Sequence, residues 1–392
     1  MIKTPPKGMS DLLPNQLELR NYISSTILQT YKDFGYSQIQ TPSVEHLENL
    51  TSNLGGDNEK LIFKILKRGE KLENSTNDLC DFGLRFDLTL PLSRFYSNNK
   101  EKLPTPFKAI QIGNVWRAER PQKGRFRQFT QCDIDILADD SVFAEIDLFQ
   151  TTATALSKLG LNFYIRLNDR RLLHFLASEF EETEIAKVLV TLDKMDKIGE
   201  EGVKEELVSF GYSLTIVENF LNKVKNATLK NLKNNFDNDI IENLEKIIFF
   251  TQNFCKVVFD PYLVRGMGYY TGPIFEITTS DYNLSIGGGG RYDDMIGKFC
   301  GQKVCCCGFS IGFERIFSML EENHFKIPMQ NKTAFLIEKG LSKQLLAQIY
   351  ENAQTLRLNG EKVCVITRSK NIKFQKQQLL NLGFTNFKDH TI

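Results

Sequence analysis

Apolar and polar residues alternate along two neighbouring stretches, 111–118 and 128–137, and Pro121 and Gly124 break the segment between them. A period of two predicts strands and the Pro/Gly segment predicts the connection, so the region reads as a long antiparallel hairpin. Upstream, residues 15–34 carry Leu17, Ile23, Ile27, Leu28, Tyr31 and Phe34 near one helical face. Ser10 or Asp11 can cap that helix, Pro14 suits its first turn, and Gly35 ends it. A strand over 36–47 follows, interrupted by Pro42, because proline sits at an edge or a break. Residues 61–72 form a candidate hairpin and 74–78 an exposed loop. In 83–95, Asp87 and Thr89 alternate with Phe86, Leu88 and Leu90, which predicts a strand with both polar residues on one face. Residues 141–159 read as a helix, and Phe163–Asp169 as a strand. From about 170 to 254 the pattern is charged and helical, an insertion between two parts of one sheet. The end of the chain, with strands at 333–340, 361–368 and 384–388 and helices at 341–359 and 371–382, reads as βαβαβ.

Composition narrows the class. The 392 residues are 41% hydrophobic and 25% charged, which suits a globular chain of two or three domains. A net charge of +1 gives no global field for nucleic acid, so local patches must supply one. One such patch is 332–392, where ten Lys/Arg face four Asp/Glu, a local +6 that leaves −5 for the rest. No apolar run is long enough to span a bilayer, and the polar, Pro-rich start is unlike a signal peptide. Eight cysteines without disulfide-like spacing point to a reducing cytosol. Cys305, Cys306 and Cys307 alternate faces with no histidine nearby, a poor basis for a closed zinc site.

The hairpin carries the candidate chemistry. Arg117, Arg120, Lys123, Arg125 and Arg127 repel one another unless an anion sits among them, and guanidinium forks suit phosphate oxygens. A solvated basic hairpin is the plainer reading. Asp87 and Thr89 suit an ammonium, or serve the structure alone. In 263–277, Arg265, Tyr269 and Tyr270 stand among glycines, giving rigid walls with polar tips. The run Gly287–Gly290 lacks the spacing of a dinucleotide loop and instead lets a strand pass close to a bound group.

Arg117-x-Glu119, a loop, then Arg125 and Phe129 resembles motif 2 of the class II aminoacyl-tRNA synthetases. The helix, Gly35 and Pro42 resemble motif 1, and Gly308-x-x-x-Gly312-x-Glu314-Arg315 resembles motif 3. RGMGYYTG at 265–272 and GGGGRYDDMIG at 287–297 resemble the two signatures of the histidyl-tRNA synthetase family. The first departs at Gly268, where that family usually has Asp.

The resemblance implies an α/β (α+β) fold: a class II synthetase-like antiparallel sheet flanked by helices, a helical insertion and a small C-terminal α/β domain. The implied domains are a catalytic part at 1–169, the insertion at 170–254, a second catalytic part at 255–327, and a shortened anticodon-binding-like domain at 328–392. It implies a histidine–tRNA ligase that uses ATP with accompanying Mg2+, L-histidine and tRNA-His, works as a cytoplasmic homodimer and has no membrane partner. Arg117 would grip the α-phosphate and the amino-acid carboxylate, Arg125 and Arg315 the γ-phosphate, and Arg265 the α-phosphate during catalysis. Phe129 would stack on adenine, and Glu119 would touch adenine or the tRNA end. Asp87, Thr89, Gln131, Asp135, Tyr269 and Tyr270 would join Arg117 and Arg265 around histidine, with Asp135 accepting the imidazole N–H. Two other functions fit the resemblance: a paralogue that regulates ATP phosphoribosyltransferase, and an enzyme that charges something other than tRNA.

Overall fold

The computed structural model describes residues 1–391 except 53–55, 70–78, 122–123, 266–269, 283 and 329–330. The chain divides into two compact units, Met1–Met9 with Ser24–Ile316, and Ser10–Ile23 with Phe317–Ile392. The strands in order are β1 (Ser37–Gln38), β2 (Val44–His46), β3 (Lys64–Leu66), β4 (Cys80–Leu84), β5 (Phe107–Trp116), β6 (Gln128–Leu137) and β7 (Phe163–Asp169). They continue with β8 (Lys256–Phe259), β9 (Pro273–Thr279), β10 (Ser285–Arg291), β11 (Cys306–Gly312), β12 (Lys332–Ile337), β13 (Lys362–Thr367) and β14 (Asn386–His390).

The first unit is built on an eight-stranded sheet in the order β1-β5-β6-β11-β10-β9-β7-β8. Its inner pairs are antiparallel, and the outermost pairs, β1 with β5 and β7 with β8, are parallel. The β5–β6 hairpin keeps unbroken register from Phe107↔Leu137 to Trp116↔Gln128. One face packs on the helix Phe143–Lys158, whose Phe149 ring lies 4.9 Å from that of Phe275 on β9 and 5.8 Å from that of Phe309 on β11. Gly289 of β10 sits between those two phenylalanines, and a Cβ there would lie 1.9 Å from the Gly308 carbonyl oxygen. The strands could not close around any larger residue.

Residues 170–254 are helical, with helices at Arg170–Leu176, Glu182–Leu192, Met195–Ser209, Leu214–Lys225, Leu229–Leu232 and Asn238–Thr251. Side chains cap four of them: Asp169, Ser213, Thr228 and Asp237 each accept from a backbone N–H in the first turn. Their apolar faces share one core (Val188, Leu207, Phe220) that reaches Leu263, Val264 and Ile274 at the sheet.

Three sequence expectations need correction. The helix begins at Pro14, and the Gln16 carboxamide oxygen, not Ser10 or Asp11, receives the Leu13 N–H (3.0 Å). On it Ile23, Ile27 and Tyr31 are fully buried while Leu17 stays exposed, because six residues separate Leu17 from Ile23 and turn it about 120° off the apolar face. Leu19, four residues before Ile23, is buried instead. The strand expected across Asp87 and Thr89 ends at Leu84, and Thr89 opens the helix Thr89–Asn99. Pro91 tolerates only the first turn of that helix, and Asp87 Oδ1 accepts the Leu90 N–H at 3.0 Å, so local capping overrides the alternation. The loop at 74–78, and the part of the 61–72 hairpin beyond residue 69, lie outside the described residues.

In the second unit β12, β13 and β14 form a parallel sheet in the order β13-β12-β14, crossed by the helices Lys343–Leu358 and Ile372–Asn381. Ser342 and Asn371 cap those helices. Lys332 Nζ bonds both carboxylate oxygens of Glu18 at 2.7 Å, tying the segment 10–23 to β12.

Candidate active site

Strand register puts a row of polar residues across one face of the large sheet. Reading across, Gln111 (β5) faces Asp133 (β6), which faces Ser310 (β11), then Gly288 (β10), Glu276 (β9) and Arg166 (β7). A buried polar row of this kind must be paired internally or by a ligand. Over it lies a cavity of about 440 Å³. Arg117, Glu119, Arg125, Phe129, Gln131, Arg265, Tyr270 and Arg315 all line it, so most of the candidates read from the sequence converge there. Tyr269 and Gly268 lie outside the described residues, as does Lys123.

The cavity has a cationic wall. The Arg265 guanidinium fills the space that glycine leaves at position 288, where a Cβ would sit 2.5 Å from its central carbon. Its Nη1 donates to Glu276 Oε2 at 2.6 Å. Arg315 donates to the Ser285 carbonyl, and burial together with the charges of Arg125 and Arg265 lowers its pKa below the usual guanidinium value. Arg315 therefore feels both other guanidinium groups of this wall. Arg125 reaches Glu119 at 3.6 Å and is half exposed. Arg117 is held more firmly: it lies 4.3 Å from the Phe86 ring centre and 5.1 Å from that of Phe129, and its Nε donates to the Phe86 carbonyl at 3.2 Å. Arg120 and Arg127, the other described hairpin cations, do not join the wall. Arg127 Nε donates to the Glu119 carbonyl at 3.0 Å, and Arg120 is exposed.

Behind the lining residues Gln131 and Ser310 the protein is acidic. Gln131, Asp133 and Asp135 alternate onto one face of β6. Asp135 is buried, accepts from the Tyr292 hydroxyl, and fills the space over Gly308, where a Cβ would come within 1.9 Å of its Oδ1. Burial pushes its carboxyl up to about 7, partly opposed by the Tyr292 bond. Asp133 is raised well above the usual carboxylate range, by burial and then by Asp135, against the pull of Ser310 and Arg117. Asp87 is raised by burial, offset by the Leu90 N–H and Arg117. Thr89, at the start of its helix, Asp87 and Asp135 stand outside the cavity lining itself.

Asp133, Ser310, Glu276 and Tyr292 had no assigned role in the sequence reading. The alternation Gln131, Asp133, Asp135 carried a signal for the first. The other three depend on strand register, which no local pattern reveals. Among the described residues no group of three His, Cys, Asp or Glu side chains could hold a metal ion.

A mostly antiparallel sheet carrying an arginine-walled cavity beside buried carboxylates defines the catalytic body of a class II aminoacyl-tRNA synthetase. The family model described as histidyl-tRNA synthetase matches residues 8–316. A histidine–tRNA ligase of Leifsonia xyli subsp. xyli is 40% identical, over 98% of this chain and 94% of its own length. A probable histidine–tRNA ligase of Tropheryma whipplei (strain Twist) is 41% identical over 81% of this chain and 80% of its own. The crystal structure of histidyl-tRNA synthetase from Nostoc sp. PCC 7120 superposes with a TM-score of 0.82 at 27% identity, covering 98% of this chain and 90% of that one. The chain belongs to the histidyl-tRNA synthetase family. A Bacillus halodurans C protein described as an ATP phosphoribosyltransferase regulatory subunit/histidyl-tRNA synthetase shares the fold at TM-score 0.80 and 19% identity, each chain covered in full.

Proposed function

We infer that this chain is an ATP-dependent aminoacyl-tRNA ligase that joins L-histidine to ATP as histidyl-adenylate, releases pyrophosphate, and passes histidine to tRNA-His. The observation that carries this reading is Arg315 set beside Arg125 and Arg265 in one cavity wall, a repulsion that Glu119 and Glu276 offset in part and a bound anion would relieve further. In the reaction the histidine carboxylate attacks the α-phosphorus and the bond to the β-phosphate oxygen breaks. Charge grows on the α-phosphate oxygens, and Arg265 and Arg117 meet it as preorganised donors. Arg125 and Arg315 hold the γ-phosphate. The Phe129 face receives adenine, with Glu119 at its edge. Gln131 and Tyr270 hold histidine at the acidic side, with Asp87, Thr89 and Asp135 supporting, and Tyr269 completes this set. Mg2+ enters with ATP. When bound, it would supply charge neutralisation at the phosphates.

In the same reading the helices of 170–254 approach the acceptor arm, and the basic 328–392 segment holds tRNA phosphates, which position an RNA without reading its sequence. The enzyme works as a cytoplasmic homodimer built through the segment around Pro42. No helix among the described residues is long and apolar enough to cross a membrane. The regulatory-subunit reading is not favoured: relatives at 36–41% identity over most of the chain are named as ligases, and all four arginines line the cavity. Histidine-dependent ATP–pyrophosphate exchange by the purified chain tests the proposal. A folded chain with no exchange would refute it.

A further inference from the structure

We propose that Ser310 and Asp133 are positioning residues that decide which end of the Gln131 carboxamide faces the amino-acid side of the cavity. The inference rests on the proposed function, since it concerns how that enzyme holds histidine. The Ser310 hydroxyl donates to Asp133 Oδ1 at 2.6 Å, and Gln131 Nε2 donates to Ser310 Oγ at 3.0 Å. A serine hydroxyl has one proton. Once Asp133 Oδ1 takes it, whether that carboxyl is ionised or carries its own proton on Oδ2, Ser310 Oγ can only accept, so it selects the NH2 end of Gln131 and turns Oε1 the other way. Gln131 Oε1 is buried without a hydrogen-bond partner among the described residues, and Gln131 lines the cavity. A buried acceptor left alone is costly until a donor reaches it. Histidine carries two such donors, its ammonium and its ring N–H. Without the relay the carboxamide is free to flip and present its NH2 group, which would repel either donor.

Ser310 reaches the cavity lining with its bonds committed to Gln131 and Asp133, and Asp133 behind it fits an orienting part rather than direct contact. Asp133 is 3% exposed, with Asp135, Asp87, Arg117 and Arg85 as charged neighbours, and Ser310 is its only hydrogen-bond partner among the bonds found between described side chains.

The test is pyrophosphate exchange by the full chain, with KM for histidine and for ATP measured separately. Ser310→Ala should raise the histidine KM about tenfold, the scale of one hydrogen bond to a charged donor, and leave the ATP KM unchanged, while the melting temperature falls because Asp133 loses its partner. Because Ser310 acts through Gln131, the Ser310→Ala/Gln131→Ala pair should be no worse than Gln131→Ala alone. Competitive inhibitors separate the two donors: histidinol carries both, and 3-(imidazol-4-yl)propionate only the ring N–H. Weaker inhibition by both in Ser310→Ala puts the ring N–H at Oε1. Weaker inhibition by histidinol alone puts the ammonium there. A histidine KM within about twofold of wild type, effects that multiply in the pair, or unchanged inhibition by both compounds would overturn the inference. Failure of the function itself shows differently, as no exchange in the wild-type chain.

Discussion

The two sides of the cavity are built on opposite electrostatic plans. The wall with Arg125, Arg265 and Arg315 is made of guanidinium groups, and its members are anchored by carbonyls and carboxylates while staying partly open. The face with Asp133 and Asp135 is buried, and burial brings the Asp135 carboxyl up to about 7, where small changes in pH alter its charge. The difference teaches which end of the reaction is switchable. A phosphate grip of fixed charge should be indifferent to pH, whereas the grip on the amino acid should depend on whether its carboxyls are ionised.

The largest effect is expected on the cationic side. Arg265→Ala should leave the fold intact, because the space over Gly288 merely empties, and lower the exchange rate by about 10²–10³-fold, the usual loss for one donor aimed at developing charge. Exchange at wild-type rate in a folded variant would remove Arg265 from the mechanism. The next concerns the acidic side. Asp135 at about 7 is mostly neutral at pH 6 and mostly ionised at pH 8, with Asp133, Asp87 and Tyr292 facing it. The histidine KM should therefore fall several-fold across that range while the ATP KM stays flat, and Asp135→Asn should abolish the histidine trend. Equal pH dependence of both constants would erase the contrast between the two sides. Stability supplies an independent reading. Between the ordinary carboxyl value of 3.8 and about 7, the folded chain keeps a proton that the unfolded chain gives up, so stability falls as pH rises through this window. Asp135→Asn escapes that loss. Its melting temperature, relative to wild type, should be several degrees higher at pH 8 than at pH 5.

The two sides also differed in how far the sequence exposed them. Arg117, Arg125, Arg265 and Arg315 sit in recognisable spacings, and all four line the cavity. The β5–β6 hairpin and the βαβαβ end were legible because alternation and Pro/Gly punctuation agree there. Asp87 misled because a cap and an alternating strand look alike over five residues, and the helix made the Asp87–Leu90 bond decisive. Glu276 and Ser310 were invisible for a different reason. Their roles come from neighbours elsewhere in the chain: Arg265 and Gly288, 11 and 12 residues away, for one, and Asp133, 177 residues away, for the other. Register decides such partners, and register is a property of the assembled sheet.

Glu276 gives the smallest effect and the finest test of the contrast. It is the acid of the cationic wall, bonding Arg265 at 2.6 Å through one oxygen and Arg166 at 3.4 Å through the other. Arg166 is in turn paired with Asp260 and with Asp196 of the helix Met195–Ser209. Glu276→Gln keeps an acceptor for Arg265 but exchanges a charge-assisted bond for a neutral one, worth roughly half as much. Arg265 then samples more orientations before the transition state, so kcat for exchange should fall about three- to tenfold, with little change in the histidine KM. The effect is smaller than that of Arg265→Ala because the guanidinium and its space over Gly288 remain. Since Glu276 acts through Arg265, the double variant should match Arg265→Ala alone. A rise in the histidine KM at constant kcat would assign Glu276 to the amino-acid side. The division would then run through the polar row itself, and fixed and switchable charge would not be separated in space.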